Sequence, residues 1–183
     1  VMKLLASIES ARDKLMFTLI YSYGLRVSEL INLTIEDFDL DEKTIEIIPL
    51  RRKQRNKFVF SLSDKIPNLL NAWLEKRPGS EFSNIIVTRK YMNGEVIYKP
   101  ISRTMVNKLF KKHCSKIGIP TRYQHPHTLR HSIALAMANA GLGIYVTKEF
   151  LRHTTIKSTE VYYHISKKLT HEKTKQLHQL LGL

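Results

Sequence analysis

Residues 151–166 have the sequence LRHTTIKSTEVYYHIS, in which His153 stands nine residues before Tyr162, with Tyr163 directly after it. The pattern of STEVYYHIS is typical of a short helix that carries both tyrosines. Neighbouring positions of a helix point about 100° apart, so only one of the two phenols can face a given site. Tyr162 and Tyr163 are therefore alternative candidates for a chemical role.

Two upstream segments concentrate further polar residues. HPHTLRH, residues 125–131, opens a helix that runs to Gly141, and YGLRVSEL, residues 23–30, follows a helix that stops at Gly24. Arg26 and Glu29 lie three residues apart on a predicted short helix, so that their side chains can hold each other in place. Each segment therefore contributes one candidate arginine: Arg130 in HPHTLRH and Arg26 in YGLRVSEL.

The remaining pattern predicts mainly helix with one small antiparallel sheet, an α+β fold. Strand-like segments at 44–50 and 57–62 flank a basic loop, and a second strand pair near 85–88 and 95–98 turns at Asn93-Gly94. Helices are predicted over residues 8–23, from the N-cap Ser102 to Gly118, and over 147–153, 158–166 and 170–183. With no repeat or long linker, residues 1–183 are expected to form one domain.

Composition narrows the class of partner. Thirty Lys and Arg residues against sixteen Asp and Glu give a formal charge of +14, which favours a polyanionic partner, either nucleic acid or an anionic membrane surface. No apolar run reaches the roughly 18 residues of a membrane helix, so we expect a cytoplasmic protein without membrane partners. The single cysteine, Cys114, has no internal disulfide partner and is expected to be a buried structural residue.

The ordered set of segments resembles the catalytic domain of tyrosine recombinases, the phage-integrase and Xer-like family. YSYGLRVSELINL is similar to the family's first arginine segment, HTLRH to its His-x-x-Arg motif, and residues 151–166 to its nucleophile segment. The likeness covers nearly the whole chain. It implies the tyrosine recombinase catalytic-domain fold and site-specific cleavage and rejoining of DNA through a covalent 3′-phosphotyrosine, with no metal, ATP or other cofactor.

The residue types suit this chemistry. Attack on a phosphodiester builds negative charge on the non-bridging oxygens, which planar guanidinium groups bind in bidentate fashion. Arg26 and Arg130 are the candidates, with Glu29 supporting Arg26. The resemblance implies Tyr162 rather than Tyr163 as the nucleophile, because the spacing of nine residues from His153 and the histidine at His164 match the family there. A phenol with a pKa of about 10 is weakly nucleophilic at neutral pH, so the tyrosine requires a base.

The resemblance implies three further catalytic roles. His127 would be the base, His153 would donate to a non-bridging oxygen, and Lys53 would protonate the departing 5′ oxygen. Lys57 competes with Lys53 because the surrounding loop is crowded with cations. A metal site built from His125, His127 and His131 is disfavoured, since the segment lacks the glutamate of HExxH and any matching cysteine or carboxylate cluster.

Phosphate contacts to double-stranded DNA are predicted from the basic loop and from one unusual residue, namely Arg51, Arg52, Arg55, Lys57 and Arg152. Such contacts position a protein and make binding depend on salt, but they do not read sequence. Relatives usually have glycine where this chain has Arg152. The arginine therefore either reaches a DNA phosphate or indicates a different local turn.

The resemblance also raises expectations about assembly and localisation. It implies a tetramer on synapsed DNA, a monomer otherwise, association with the nucleoid, and a preceding core-binding domain that this sequence does not contain. Weak DNA affinity of the chain alone is expected for that reason. The last helix, with Leu177, Leu180 and Leu181, docks either on its own domain or on a neighbouring protomer.

Two other functions compete with recombination. A type IB topoisomerase would use the same residue types to nick and reseal one duplex, and a noncatalytic DNA-binding module would retain only the fold. The complete residue set argues against lost activity. The sequence does not distinguish integration, transposition and chromosome-dimer resolution, nor does it indicate the DNA target site.

Overall fold

The computed structural model describes residues 1–49 and 57–181, without the side chains of part of the last helix. The chain divides into two compact units, residues 1–130 and 131–183. The helices are α1 Met2–Ser7, α2 Ala11–Ser22, α3 Val27–Asn32, α4 Lys65–Leu74, α5 Arg103–Lys116, α6 His127–Asn139, α7 Ile144–Phe150 and α8 Lys157–Leu181. The strands are β1 Phe38–Asp39, β2 Thr44–Ile47, β3 Phe58–Ser61, β4 Val87–Met92 and β5 Glu95–Pro100. The predicted fold class, mainly helix with small antiparallel sheets, is confirmed.

Both ends of helix α2 are fixed by specific contacts and backbone geometry. Ser10 caps the helix by accepting the Asp13 N–H at 3.3 Å, and Gly24 follows the helix in the left-handed conformation with φ +55°. The Tyr23 hydroxyl donates to the carbonyl of Ser61 and accepts the Ser63 N–H, both at 3.2 Å. Tyr23 therefore fixes the end of α2 to the end of β3, and its burial raises the pKa of its phenol.

Both predicted antiparallel strand pairs are present. Strands β1, β2 and β3 form an antiparallel sheet in which Ile45 faces Phe60 across the β2–β3 pair. Strands β4 and β5 pair over their whole length. Between them, Asn93 and Gly94 both have positive φ, at 53° and 82°, which is typical of the type I′ turn that Asn-Gly favours.

Several parts of the sequence prediction need correction. Helix α1 was not predicted, α2 begins at Ala11 rather than at residue 8, and α7 covers Ile144–Phe150 rather than 147–153. Helix α4 lies in a stretch to which the prediction assigned no element, although Ile66, Leu70 and Trp73 recur at helical spacing and are buried. The two helices predicted over 158–166 and 170–183 are one helix, α8, of 25 residues. No glycine or proline separates the two predicted segments, so nothing in the backbone stops the helix.

Each unit has a core of its own. In residues 1–130, the rings of Phe17 and Phe110 meet edge to face with centroids 5.1 Å apart, and Trp73 donates its indole N–H to the Ile85 carbonyl at 2.7 Å. In residues 131–183, a smaller cluster contains Ala134, Ala138, Leu151 and Tyr162. Across the described ranges 1–49 and 57–181, no helix has the length and apolar character to cross a bilayer.

Candidate active site

Arg26 is held at the start of α3 by a carboxylate one turn later. Its backbone N–H donates to Oε2 of Glu29 at 2.8 Å, and its Nη1 donates to Oε1 of the same side chain at 2.6 Å. The first contact satisfies an amide that a helix N-terminus leaves without an intrahelical partner. The predicted pairing of Arg26 with Glu29 is confirmed, and it fixes both the backbone and the guanidinium of Arg26.

The same carboxylate lies beside a second arginine. Arg130 is the fourth residue of α6 and is completely buried. Its Nη1 donates to the Gly24 carbonyl and lies 4.0 Å from Oε2 of Glu29, whose side chain is only 1% exposed. Arg26, Arg130 and Glu29 thus form one cluster, here called the arginine cluster, in which one buried negative charge faces two positive charges. A buried guanidinium with fixed partners is preorganised to bind an anion.

His127 begins α6 and is exposed. Because residues three apart share a helix face, His127 and Arg130 lie one turn apart on α6. His125, outside the helix, is engaged locally, with its ring nitrogens 3.1 and 3.2 Å from the Thr128 hydroxyl. Within the part of the chain that the structure describes, no three metal-ligating side chains converge.

Of the predicted residues of the basic loop, only Lys57 is among those that the structure describes. Lys53, Arg51, Arg52 and Arg55 lie outside the described residues, and their predicted roles stay predictions. Lys57 is described: its Nζ lies 2.5 Å from Oε2 of Glu46 on β2. This hydrogen bond and the charge of Glu46 raise the pKa of Lys57, which keeps its amine protonated.

His153 is 9% exposed and has a buried hydroxyl as its partner. Its Nδ1 lies 2.9 Å from Oγ1 of Thr159, a residue in the first turn of α8. When Thr159 donates this hydrogen bond, the imidazole proton resides on Nε2. That tautomer is the one in which Nε2 is able to donate to a phosphate oxygen.

Arg152 occupies a backbone conformation that glycine favours. Its φ is +54°, and its side chain is buried, with Nη1 donating to the Phe150 carbonyl at 2.8 Å. Arg152 thus makes a left-handed turn with a large side chain. The predicted phosphate contact of Arg152 stays a prediction, and it requires a change that exposes the guanidinium.

The two adjacent tyrosines of α8 have different surroundings. Tyr162 is 5% exposed and its hydroxyl lies 2.7 Å from Nδ1 of His131. The Tyr163 hydroxyl instead donates to the Leu142 carbonyl and lies 2.6 Å from Oγ1 of Thr147. A backbone carbonyl is a structural acceptor that takes no proton at neutral pH, whereas an imidazole is able to take one.

Three contacts in these surroundings were missed from the sequence. The Gly24 carbonyl bonds Arg130, which is far away in sequence, and the Thr159 hydroxyl bonds His153 across a turn. No sequence periodicity indicates either contact. His131 was considered from the sequence only as part of a disfavoured metal site with His125 and His127. Its spacing of four residues from His127 places it on the same helix but does not point to Tyr162.

Comparisons with known proteins identify the family of this chain. The model of the phage integrase family matches residues 1–168. The tyrosine recombinase XerD of Staphylococcus saprophyticus is 32% identical over 163 residues, which are 89% of this chain and 53% of that protein. XerD of Staphylococcus aureus is 30% identical over 174 residues, 95% of this chain and 57% of the relative. The chain thus spans about half the length of these curated relatives.

Solved structures share the fold. The XerH site-specific recombinase, in a post-cleavage complex with palindromic difH substrate, has a TM-score of 0.75 and 22% identity, over 94% of this chain and 49% of that chain. The Tn1549 transposon integrase, in complex with a circular intermediate DNA, has a TM-score of 0.67 and 18% identity, over 94% of this chain and 63% of that chain. With a family match over most of its length and relatives at this identity, the chain belongs to the phage integrase family of tyrosine recombinases.

Proposed function

We propose that this chain carries the active site of a site-specific DNA recombinase, which cleaves and rejoins DNA strands through a covalent bond between Tyr162 and a 3′ phosphate. The observation that carries the proposal is the arginine cluster. Two guanidiniums share one carboxylate whose side chain is 1% exposed, an arrangement that stays cationic and binds an anion. Its setting in a chain of this family makes a DNA phosphate the expected anion.

The proposed reaction conserves the energy of the phosphodiester bond. The Tyr162 oxygen attacks phosphorus, the bond to the 5′ oxygen breaks, and the released 5′-hydroxyl later reverses the step on the same or another strand. Arg26 and Arg130 stabilise the charge on the non-bridging oxygens. One such preorganised donor typically contributes about 3 kcal/mol to lowering the barrier.

The histidines and the lysine complete the proposal. His153 donates from Nε2 to a non-bridging oxygen, a role supported by the Thr159 contact to its Nδ1. His127 is the base that the family resemblance implies for the Tyr162 phenol. Lys53 protonates the leaving 5′ oxygen. Its rival Lys57 is paired with Glu46, which raises the pKa of Lys57 and makes its amine a weaker acid, so the pairing favours Lys53 for this role.

The proposed partner is double-stranded DNA. A formal charge of +14 supports binding to phosphates, and the two solved relatives described above are complexes with DNA. We propose further that four subunits act together on synapsed DNA, as the resemblance implies. The prediction that the chain alone binds DNA weakly is tested by a gel shift at several salt concentrations.

The test is a search for the covalent adduct. A pool of end-labelled duplexes with randomised sequence carries a nick just beyond each candidate cleavage position, so that the short fragment with the 5′-hydroxyl diffuses away. Protein-bound DNA is recovered after denaturation and sequenced. We expect a protease-sensitive adduct without added metal, absent in Tyr162→Phe and retained in the matched variant Tyr163→Phe.

The other outcomes separate the competing functions. Loss of the adduct only in Tyr163→Phe would assign the nucleophile to the neighbouring position. An adduct together with relaxation of supercoiled DNA, but with no joining between two sites, would indicate a topoisomerase. Absence of any adduct across the pool would leave a noncatalytic DNA-binding module and would refute the proposed activity.

A further inference from the structure

The Tyr162 hydroxyl has an imidazole as a direct neighbour within residues 131–183. His131, on α6, places Nδ1 2.7 Å from the Tyr162 oxygen, inside the range of about 2.6–3.2 Å that a proton transfer requires. The two rings lie 5.7 Å apart between centroids with an angle of 51° between their planes. The contact is therefore a direct hydrogen bond between the imidazole and the Tyr162 hydroxyl, and the hydroxyl donates when Nδ1 carries no proton.

We infer that His131, in place of His127, takes the proton from Tyr162 during cleavage and returns it during rejoining, and this inference rests on the proposed strand cleavage by Tyr162. His131 accepts through Nδ1 when its own proton is on Nε2. The family resemblance implies a different base, His127. The observed contact to the reacting oxygen favours His131.

The proton balance closes over both steps. In cleavage, the Tyr162 O–H bond breaks, its proton moves to Nδ1 of His131, and the oxygen bonds to phosphorus. The bond from phosphorus to the 5′ oxygen breaks, and that oxygen takes a proton from the general acid proposed above, Lys53. In rejoining, the 5′-hydroxyl gives its proton back to the lysine, and the departing Tyr162 oxygen recovers its proton from His131.

The different burial of the two residues fits this role. Tyr162 is 5% exposed, so water has little access to its hydroxyl and a protein group has to receive the proton. His131 is itself exposed, which leaves the imidazole hydrated and able to bear a positive charge at modest cost. The Tyr163 hydroxyl donates instead to the Leu142 carbonyl, an acceptor that does not take up the proton.

The experiment measures adduct formation in a single turnover on a duplex recovered from the pool. His131→Ala is expected to slow cleavage by about 100-fold or more, the usual contribution of a general base. His131→Gln keeps an acceptor for the hydroxyl without accepting a proton, so it is expected to be as slow as His131→Ala. The matched control His125→Ala, in the same segment, is expected to leave the rate unchanged.

Two chemical readouts distinguish a base from a structural residue or an acid. Added imidazole is expected to restore part of the rate to His131→Ala but none to His131→Gln, whose side chain fills the space. A duplex with sulfur in place of the bridging 5′ oxygen has a leaving group that needs no proton. It is expected to rescue Lys53→Ala and to leave His131→Ala slow.

A measurement on the DNA-free protein tests the contact itself. The ¹³Cζ resonance of Tyr162, assigned by its loss in Tyr162→Phe, is expected to shift in His131→Ala and to remain in place in His125→Ala. Circular dichroism of each variant confirms that the helices are retained.

The results that overturn the inference are separable from failure of the proposed function. His131 is not the base if wild-type protein forms the adduct and His131→Ala forms it at the same rate. The same conclusion follows if His131→Gln forms the adduct at the wild-type rate. Imidazole rescue of His127→Ala combined with an active His131→Ala would assign the role to His127. If wild-type protein forms no adduct on any duplex, the proposed function fails, and the inference fails with it.

Discussion

The carboxylate of Glu29 is the most informative single group to remove, because it faces both arginines of the cluster. With an effective dielectric constant of about 20, a unit charge pair interacts by about 6 kcal/mol at 2.6 Å and by about 4 kcal/mol at 4.0 Å, the distances from Glu29 to Arg26 and Arg130. Both contacts are therefore substantial. Glu29→Gln removes the charge while keeping the shape of the side chain.

The expected cost follows from the burial of the arginines. Removing one member of a buried ion pair typically costs about 3–5 kcal/mol, since the partner is left uncompensated. The substituted amide retains one acceptor oxygen, and Arg26 is partly solvated with 23% of its side chain exposed, so we expect the lower end, about 3 kcal/mol. With a urea m-value of about 2 kcal/mol/M, this lowers the midpoint of unfolding by about 1.5 M.

The assay uses the single tryptophan. Trp73 is 6% exposed and lies in residues 1–130, the same unit as the arginine cluster, so its fluorescence reports the unfolding of that unit in urea. The matched control is Glu46→Gln, which removes an ion pair of similar length to an exposed lysine, Lys57. A midpoint for Glu29→Gln as high as that of the control would refute the reasoning that the shared carboxylate neutralises buried charge.

Three further predictions concern other parts of the structure. Gly24→Ala forces alanine into φ +55° and shifts the carbonyl that Arg130 binds, so we expect a loss of about 1–2 kcal/mol in urea unfolding followed by Trp fluorescence. Thr159→Val leaves His153 without its hydroxyl partner and is expected to slow adduct formation while far-UV circular dichroism stays unchanged; wild-type rates would contradict the proposed tautomer. Burial raises the pKa of the Cys114 thiol from 9.0 to about 11, so the folded state disfavours the thiolate. The contribution of the neutral thiol to the free energy of unfolding is fully present below pH 9 and is lost as the pH rises towards 11. Urea midpoints measured across this pH range are expected to decline less in Cys114→Ala than in the wild-type protein.

Most helices and both hairpins were predictable because local signals mark them. Ser102 accepts the Met105 N–H at 3.2 Å as an N-cap, and the Asn93-Gly94 pair adopts the turn that its sequence predicts. Strand β1 was not predicted, because its two residues, Phe38 and Asp39, are strand only through pairing with β2. A strand this short forms only because it pairs with β2, and a local sequence pattern does not reveal that pairing.

The candidate site was predictable to different depths. The Arg26–Glu29 pair follows from a spacing of three residues on one helix. The contact of Glu29 with Arg130 joins segments about one hundred residues apart, and the contact of His131 with Tyr162 joins two helices. Such pairings depend on how the elements pack, so motif spacing indicated the residues but not the contacts.

Helix α8 gives the proposed nucleophile a mechanical connection to the far end of the chain. Tyr162 lies in the second turn of a helix that continues to Leu181, a distance of roughly 29 Å at 1.5 Å per residue. Because the helix is continuous, a displacement at its far end travels as rotation or tilt of a rod rather than being absorbed by a flexible joint. The orientation of the C-terminal turns therefore influences the position of the backbone that carries the Tyr162 phenol.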